Sequence, residues 1–138
     1  MDWKLEVVIV SVTDVDRAKE FYVDKLGFAL DVDHDASAAF RVVQVTPPGS
    51  ACSIVFGTGV GSGKVGEVKG VTLVVEDTDA ALAHLGDAGI SNSGLQHFVD
   101  GQMTPGPDPQ DADYGTFIFF DDPDGNTFQV QKRAAKPA

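Results

Sequence analysis

The chain has 138 residues, 43% of them apolar, and a formal charge of −11 at pH 7. Its length suits one core-bearing unit, and its apolar share excludes a disordered chain. The acidic balance excludes a nucleic-acid partner, which needs clustered Lys and Arg, and no apolar run approaches the roughly 18 residues of a membrane span.

The first element is a strand over residues 4–12, rich in β-branched side chains. Alternation sets Val8, Val10 and Val12 on one face and Val7, Ile9 and Ser11 on the other. Both faces are largely apolar, so cover is expected on both sides. Thr13 or Asp14 can cap the helix that follows, with Asp16 near its positive end. Ala18, Phe21, Tyr22 and Leu26 form its apolar stripe, and Gly27 ends it. Strands are predicted at 28–34, 38–46 and 51–57, with Pro47-Pro48-Gly49-Ser50 turning between the last two. The order is βαβββ. Gly57 to Gly66 is glycine-rich, yet lacks the Gly-Lys-Ser/Thr ending of a phosphate loop, and reads as a linker.

The second half repeats the plan. A strand at 70–76 precedes a helix from Asp77 to Ala88, and a strand near 93–100 follows. Met103 to Asp113 then reads as an acidic, proline-rich loop. The last strands, 114–120 and 127–132, are joined by Asp122-Pro-Asp-Gly-Asn126, a strong turn signal, and 133–138 reads as a loose tail. The helix-entry phrase itself occurs twice. Val8 to Asp14 leads through Val15, Asp16, Ala18 and Tyr22 to Leu26-Gly27-Phe28, and Val71 to Asp77 leads through Thr78, Asp79, Ala81 and Leu85 to Ala88-Gly89-Ile90. Duplication implies two modules related by a pseudo-twofold, with a ligand expected between them. The expected layout is a single domain: module 1 at about 4–57, a linker at about 58–69, module 2 at about 70–132, and the tail.

Val12-Thr-Asp-Val-Asp-Arg-Ala-Lys-Glu-Phe-Tyr22, Lys25-Leu-Gly-Phe28 and Phe120-Asp-Asp-Pro-Asp-Gly-Asn126 together resemble the vicinal oxygen chelate superfamily. That superfamily includes glyoxalase I, extradiol dioxygenases, and fosfomycin- and bleomycin-resistance proteins. The resemblance implies an α+β fold of two βαβββ modules, with mixed sheets curled around a cavity, usually in a homodimer. It also implies where a metal would sit in members that use one. Those four positions carry Val7, Val55, Gly70 and Gln129 here, and three of them offer no heteroatom side chain. A divalent ion needs several O or N ligands, so no metal and no cofactor are expected.

The candidate ligand residues follow from the same inward parity. Val7 and Gln129 bring Ile9 and Ser11, and on the final strand Thr127 and Gln131. The repeat adds Val55, Thr72 and Val74. Phe40, Gln44, Phe56, Tyr114, Phe117 and Phe119 extend the set into an apolar, aromatic pocket with a few amides and hydroxyls, the usual chemistry of small-molecule binding. His34, His84 and His97 are scattered; His97, on a second-module strand, is the candidate for ligand contact or proton transfer. Cys52 has no His beside it in sequence and no nucleophile elbow surrounds any Ser, so no activated nucleophile is read. The lone Cys52 and the absence of an export pattern suggest a cytoplasmic setting.

The expected function is metal-independent binding of a small molecule, by resemblance to bleomycin-resistance proteins. An aromatic or cationic compound is the expected ligand, an antibiotic among the possibilities. The charge of −11 either keeps the surface soluble or attracts such a cation. The alternative is a glyoxalase-type lyase, isomerase or dioxygenase, with a displaced metal site or with His97 as acid/base.

Overall fold

Two units organise the computed structural model, which describes residues 1–61 and 63–134. The first unit is Met1–Val68 together with Asp122–Asn126; the second is Lys69–Asp121 and the segment from Thr127 onward. Most of the tail expected at 133–138 lies outside the described residues. No described helix is long and apolar enough to cross a membrane.

The first unit follows the βαβββ order. It comprises β1 (Val7–Ile9), α1 (Val15–Lys19) continued by a π-helical stretch (Glu20–Lys25), β2 (Ala29–Ser37), β3 (Phe40–Thr46) and β4 (Ser53–Thr58). The sheet order is β1-β4-β3-β2, with β1 parallel to β4 and the other pairs antiparallel. Asp14 caps α1 by accepting the Arg17 N–H at 3.1 Å. The widened turns appear as an i→i+5 bond from Leu26 N–H to the Phe21 carbonyl, 2.9 Å. Gly27 then takes φ 81°, a conformation open to glycine at little cost. Phe21, Tyr22 and Leu26 all turn inward, and Tyr22 stacks on Phe56 with ring centroids 5.3 Å apart. Val10, Val43, Val45, Ile54 and Phe56 complete this core. Phe56 is thus a core ring against Tyr22, rather than the pocket residue the sequence suggested.

The second unit comprises β5 (Val71–Val75), α2 (Thr78–Asp87), β6 (Gln96–Val99), β7 (Gln102–Pro105), β8 (Thr116–Asp121) and β9 (Thr127–Lys132). Its sheet order is β5-β9-β8-β6-β7. The same local devices recur: Asp77 accepts the Ala80 N–H, Gly89 takes φ 72°, and the Ile90 N–H returns to the Leu85 carbonyl. One strand is additional. The segment expected to begin an irregular loop at Met103 instead forms β7, hairpinned to β6 through Asp100 and Gly101, both at positive φ. That Asp-Gly pair is a two-residue hairpin signal in its own right. Pro105 is accommodated because β7 lies at the sheet edge. Beyond it, Asp108 accepts the N–H groups of Gln110 and Ala112, and Lys132 pairs with Asp111. Those backbone donors, Ala112 first, hold the Asp108 carboxyl below its usual pKa.

The turn between β8 and β9 belongs to the first unit. Asp122 is 4% exposed and Asn126 fully buried. Asp122 Oδ1 accepts the N–H groups of Asp124 and Asn126, both at 2.9 Å, while Oδ2 accepts Asn126 Nδ2 at 2.8 Å and the Tyr22 hydroxyl at 2.7 Å. Asn126 also donates to the Ser11 carbonyl and accepts the Val68 N–H. Asp124 accepts from the Thr13 hydroxyl at 2.7 Å and from Arg17 at 3.1 Å. Burial, and next the Asp122 charge, push the Tyr22 phenol well above its ordinary pKa, so it remains a donor.

Tyr22→Phe should therefore lower the unfolding free energy by about 1–3 kcal/mol, because a buried carboxylate loses a donor. Urea denaturation measures this, and an unchanged midpoint and slope would show that the hydroxyl does not support the turn. A second expectation concerns acid. Hydrogen bonds from Arg41 and then Lys19 hold the Asp33 carboxyl far below the usual carboxylate range. Its contribution is present above the unfolded pKa of about 4 and is lost as pH falls through the lower folded value. Asp33→Asn should then flatten the decline in stability between about pH 5 and pH 2, followed by denaturation at each pH.

Candidate functional site

Each sheet has one face under its helix and one face without it, and strand register assigns the side chains. In the first unit Ile9 pairs with Val55, and Val55 with Gln44 across β3. Val7 and Ser53 share that face by alternation, as does Phe40 at the start of β3. Helix-side Val43, Ile54 and Phe56 are 0–3% exposed; on the other face Ile9 is 43% and Phe40 42% exposed, while Val55 and Ser53 on the central strand are 7% and 5% exposed. Val7, Ile9, Phe40, Gln44 and Val55 are therefore brought together on one open face. Ser11 lies beyond β1. Its hydroxyl donates to the Gly63 carbonyl at 3.0 Å, and its own carbonyl accepts from Asn126, so it serves the linker and the turn.

In the second unit Thr72 pairs with Gln129, the position that Ile9–Val55 holds in the first. Gln129 Nε2 donates to the Thr72 hydroxyl at 2.8 Å, which donates in turn to the Gly70 carbonyl at 3.1 Å. Phe119 lies opposite Gln129 and Phe117 opposite Gln131, and Gln96 pairs with Phe117 on β6. Alternation from Gln96 sets Phe98 on this face too. The three rings form a row. Phe117 and Phe119 are parallel at 5.8 Å, and Phe98 meets Phe117 edge-on at 5.5 Å. Phe98 is 57% exposed, which is unusual for a phenylalanine in a regular strand.

His97 turns to the other face, and Tyr114 lies outside the strands, its carbonyl accepting from Gln131 Nε2 at 3.3 Å. His97 pairs with Thr116, on the opposite face from Phe117 and Gln129, and its Nδ1 lies 2.8 Å from the Gly106 carbonyl. Tyr114 precedes β8 at φ 62°, and its hydroxyl accepts from Arg133 at 3.0 Å. Phe98 is not among the sequence candidates, because its face depends on the β6–β8 pairing. Counting outward from Phe119 by twos, across the β6–β8 pairing, would have found it.

The positions that would carry a metal are now explicit. Val7 and Val55 present only hydrocarbon to the open face, Gly70 has no side chain, and the Gln129 amide is engaged with Thr72. One amide oxygen falls short of the several ligands a divalent ion needs, so these residues do not fit such a metal. Among the described residues no group of three or more His, Cys, Asp or Glu is placed to hold one. A cleft of about 380 Å³ on the helix side of the first unit is polar, lined by Thr13, Asp14, Asp16, Asp35 and Arg41 among others. None of the sequence candidates lines it, and Arg41 there is engaged by Asp16 at 2.7 Å and Asp33 at 3.0 Å.

Sheets with one helix-covered face and one open face bearing rings and amides, built twice from one phrase, define a protein of the glyoxalase type. The chain belongs to the Glyoxalase/Bleomycin resistance protein/Dioxygenase superfamily, whose model matches residues 4–130. Among solved structures it is similar to TnmS3, an antibiotic binding protein from Streptomyces sp. CB03234, with 28% identity and TM-score 0.75 over 96% of this chain and 98% of that one. A glyoxalase/bleomycin resistance protein from the same organism aligns with 29% identity and TM-score 0.72, over 94% of this chain and all of the other. The uncharacterized protein YetH of Bacillus subtilis (strain 168) is 24% identical, over 94% of this chain and 98% of that protein.

Sidedness is open to a direct check. Ile118 is fully buried on the helix side and Phe119 half-buried on the open face. Ile118→Ala should cost about 2–5 kcal/mol and Phe119→Ala clearly less, despite removing the larger side chain. Urea denaturation of both variants reads the difference, and the reverse order would move the open face to the other parity.

Proposed function

We propose that this protein binds an aromatic small molecule, without a metal, on the open faces of its sheets. The observation that carries the reading is the row of Phe98, Phe117 and Phe119 beside Gln129. A row that runs from exposed Phe98 to half-buried Phe119, with buried Phe117 fixing both, offers a stacking surface, and the amide supplies a polar group to orient what stacks there. The hydrocarbon at Val7 and Val55 supports metal independence. The antibiotic-binding neighbour TnmS3 supports an antibiotic as one such ligand.

The two modules are read as one ligand-binding domain acting as a homodimer. Exposed apolar side chains on the open faces, Ile9, Val74 and Phe98, support a partner subunit covering part of them. A reducing, cytoplasmic setting is consistent with the single free Cys52.

Acridine, a planar neutral dye, is a suitable probe. Its fluorescence should titrate to saturation with the full chain, and Phe119→Ala should weaken binding about three- to tenfold through lost stacking. Chelator or added divalent ions should leave the melting temperature and the titration unchanged. Absence of saturable binding, or a chelator-reversible rise in melting temperature, would overturn the reading.

A further inference from the structure

We propose that Asp31 selects a cationic group on small molecules seated on the open face of the first unit's sheet, an inference that rests on the small-molecule reading above. Strand β2 is the outer strand of the first sheet, and its register slips by one residue between Leu30, opposite Val45, and Val32, opposite Gln44. Asp31 is the extra residue. A bulge of this kind re-aims a side chain that strict alternation would send elsewhere. The Asp31 carboxylate lies over the open face, because its Oδ2 accepts from Gln44 Nε2 at 3.4 Å and from the Thr46 hydroxyl. Thr46 is itself held, 2.6 Å from the Ser53 hydroxyl.

The two faces of β2 treat their carboxylates differently. Asp33, on the helix side, is neutralised by Lys19 at 2.8 Å and Arg41 at 3.0 Å. Asp31 has no ion-pair partner among the described residues. Both of its protein donors reach the same oxygen, so Oδ1 takes no hydrogen bond from them. The carboxylate is held in place with one acceptor left open, near exposed Val32 on the face that also carries Phe40. An ammonium or amidinium group of a ligand would complete that arrangement with a charge-assisted hydrogen bond. Because Gln44 and Thr46 already hold the side chain, little ordering is left to oppose binding. Apolar area on the same face would supply affinity, and the charge would supply the preference.

The test compares 9-aminoacridine, protonated in mildly alkaline buffer, with acridine, which is neutral there. Equilibrium dialysis is run with the full chain as wild type, Asp31→Asn and Asp35→Asn. Asp35 pairs opposite Arg41 on the helix side, so its variant removes the same unit charge from the other face. The wild type should bind the cation about tenfold tighter than the neutral dye, as expected for one hydrogen bond to a charged group. Asp31→Asn should abolish that preference and leave acridine binding unchanged, whereas Asp35→Asn should alter it by less than about twofold. No preference in the wild type, a preference that survives Asp31→Asn, or equal loss in both variants would overturn the inference alone. Failure of the wild type to bind either dye would overturn the small-molecule reading, and the inference with it.

Discussion

The buried pair Asp122 and Asn126 is the constraint on which the first unit depends. An ionised carboxylate almost removed from water is costly unless every lone pair is answered, and here four donors answer it. Two come from the turn's own backbone, one from Asn126 and one from Tyr22, a residue one hundred positions earlier in the chain. Satisfying the charge thus requires that the π-helical stretch, which aims Tyr22, and the β8–β9 turn form together. The aromatic packing of Tyr22 on Phe56 and Phe28 follows from the same placement.

From that anchor the economy of the duplicated phrase becomes clear. Each copy spends an Asp on capping its helix, a Gly at positive φ on ending it, and an apolar residue after the Gly on returning the chain to its sheet. The helix then covers one face of each sheet and leaves the other open. Side chains facing the helix must be close-packed and apolar, while the open face is released from that demand. Gln44, Gln129, Gln131 and exposed Phe98 occupy the released positions, where polarity and an exposed ring cost the core little.

Much of the architecture was legible because its signals are local. The βαβββ order of the first unit, the cap at Asp14 and the glycine stop after its helix follow from period-two and helical patterns repeated in one chain. The added strand β7 was legible in principle through Asp100-Gly101, yet Pro105 at its end and Pro107 and Pro109 beyond it drew the segment toward a loop. The faces taken by His97 and Phe56 were not legible, because parity holds only within a strand whose pairing partner is fixed. Shifting the origin by one residue exchanges the faces.

By itself the sequence determined the duplicated strand–helix phrase, the Asp14 cap and the glycine stops. Those depend on residues near one another in the chain, or on the repeat, and need no knowledge of partners. Tertiary structure decided which rings line up, that the Asp122–Asn126 turn joins the first unit, and that Asp31 stands out on a bulge. Each of these rests on strand pairing or on contacts between residues far apart in sequence, and the free energy that fixes them exists only once the pairing forms.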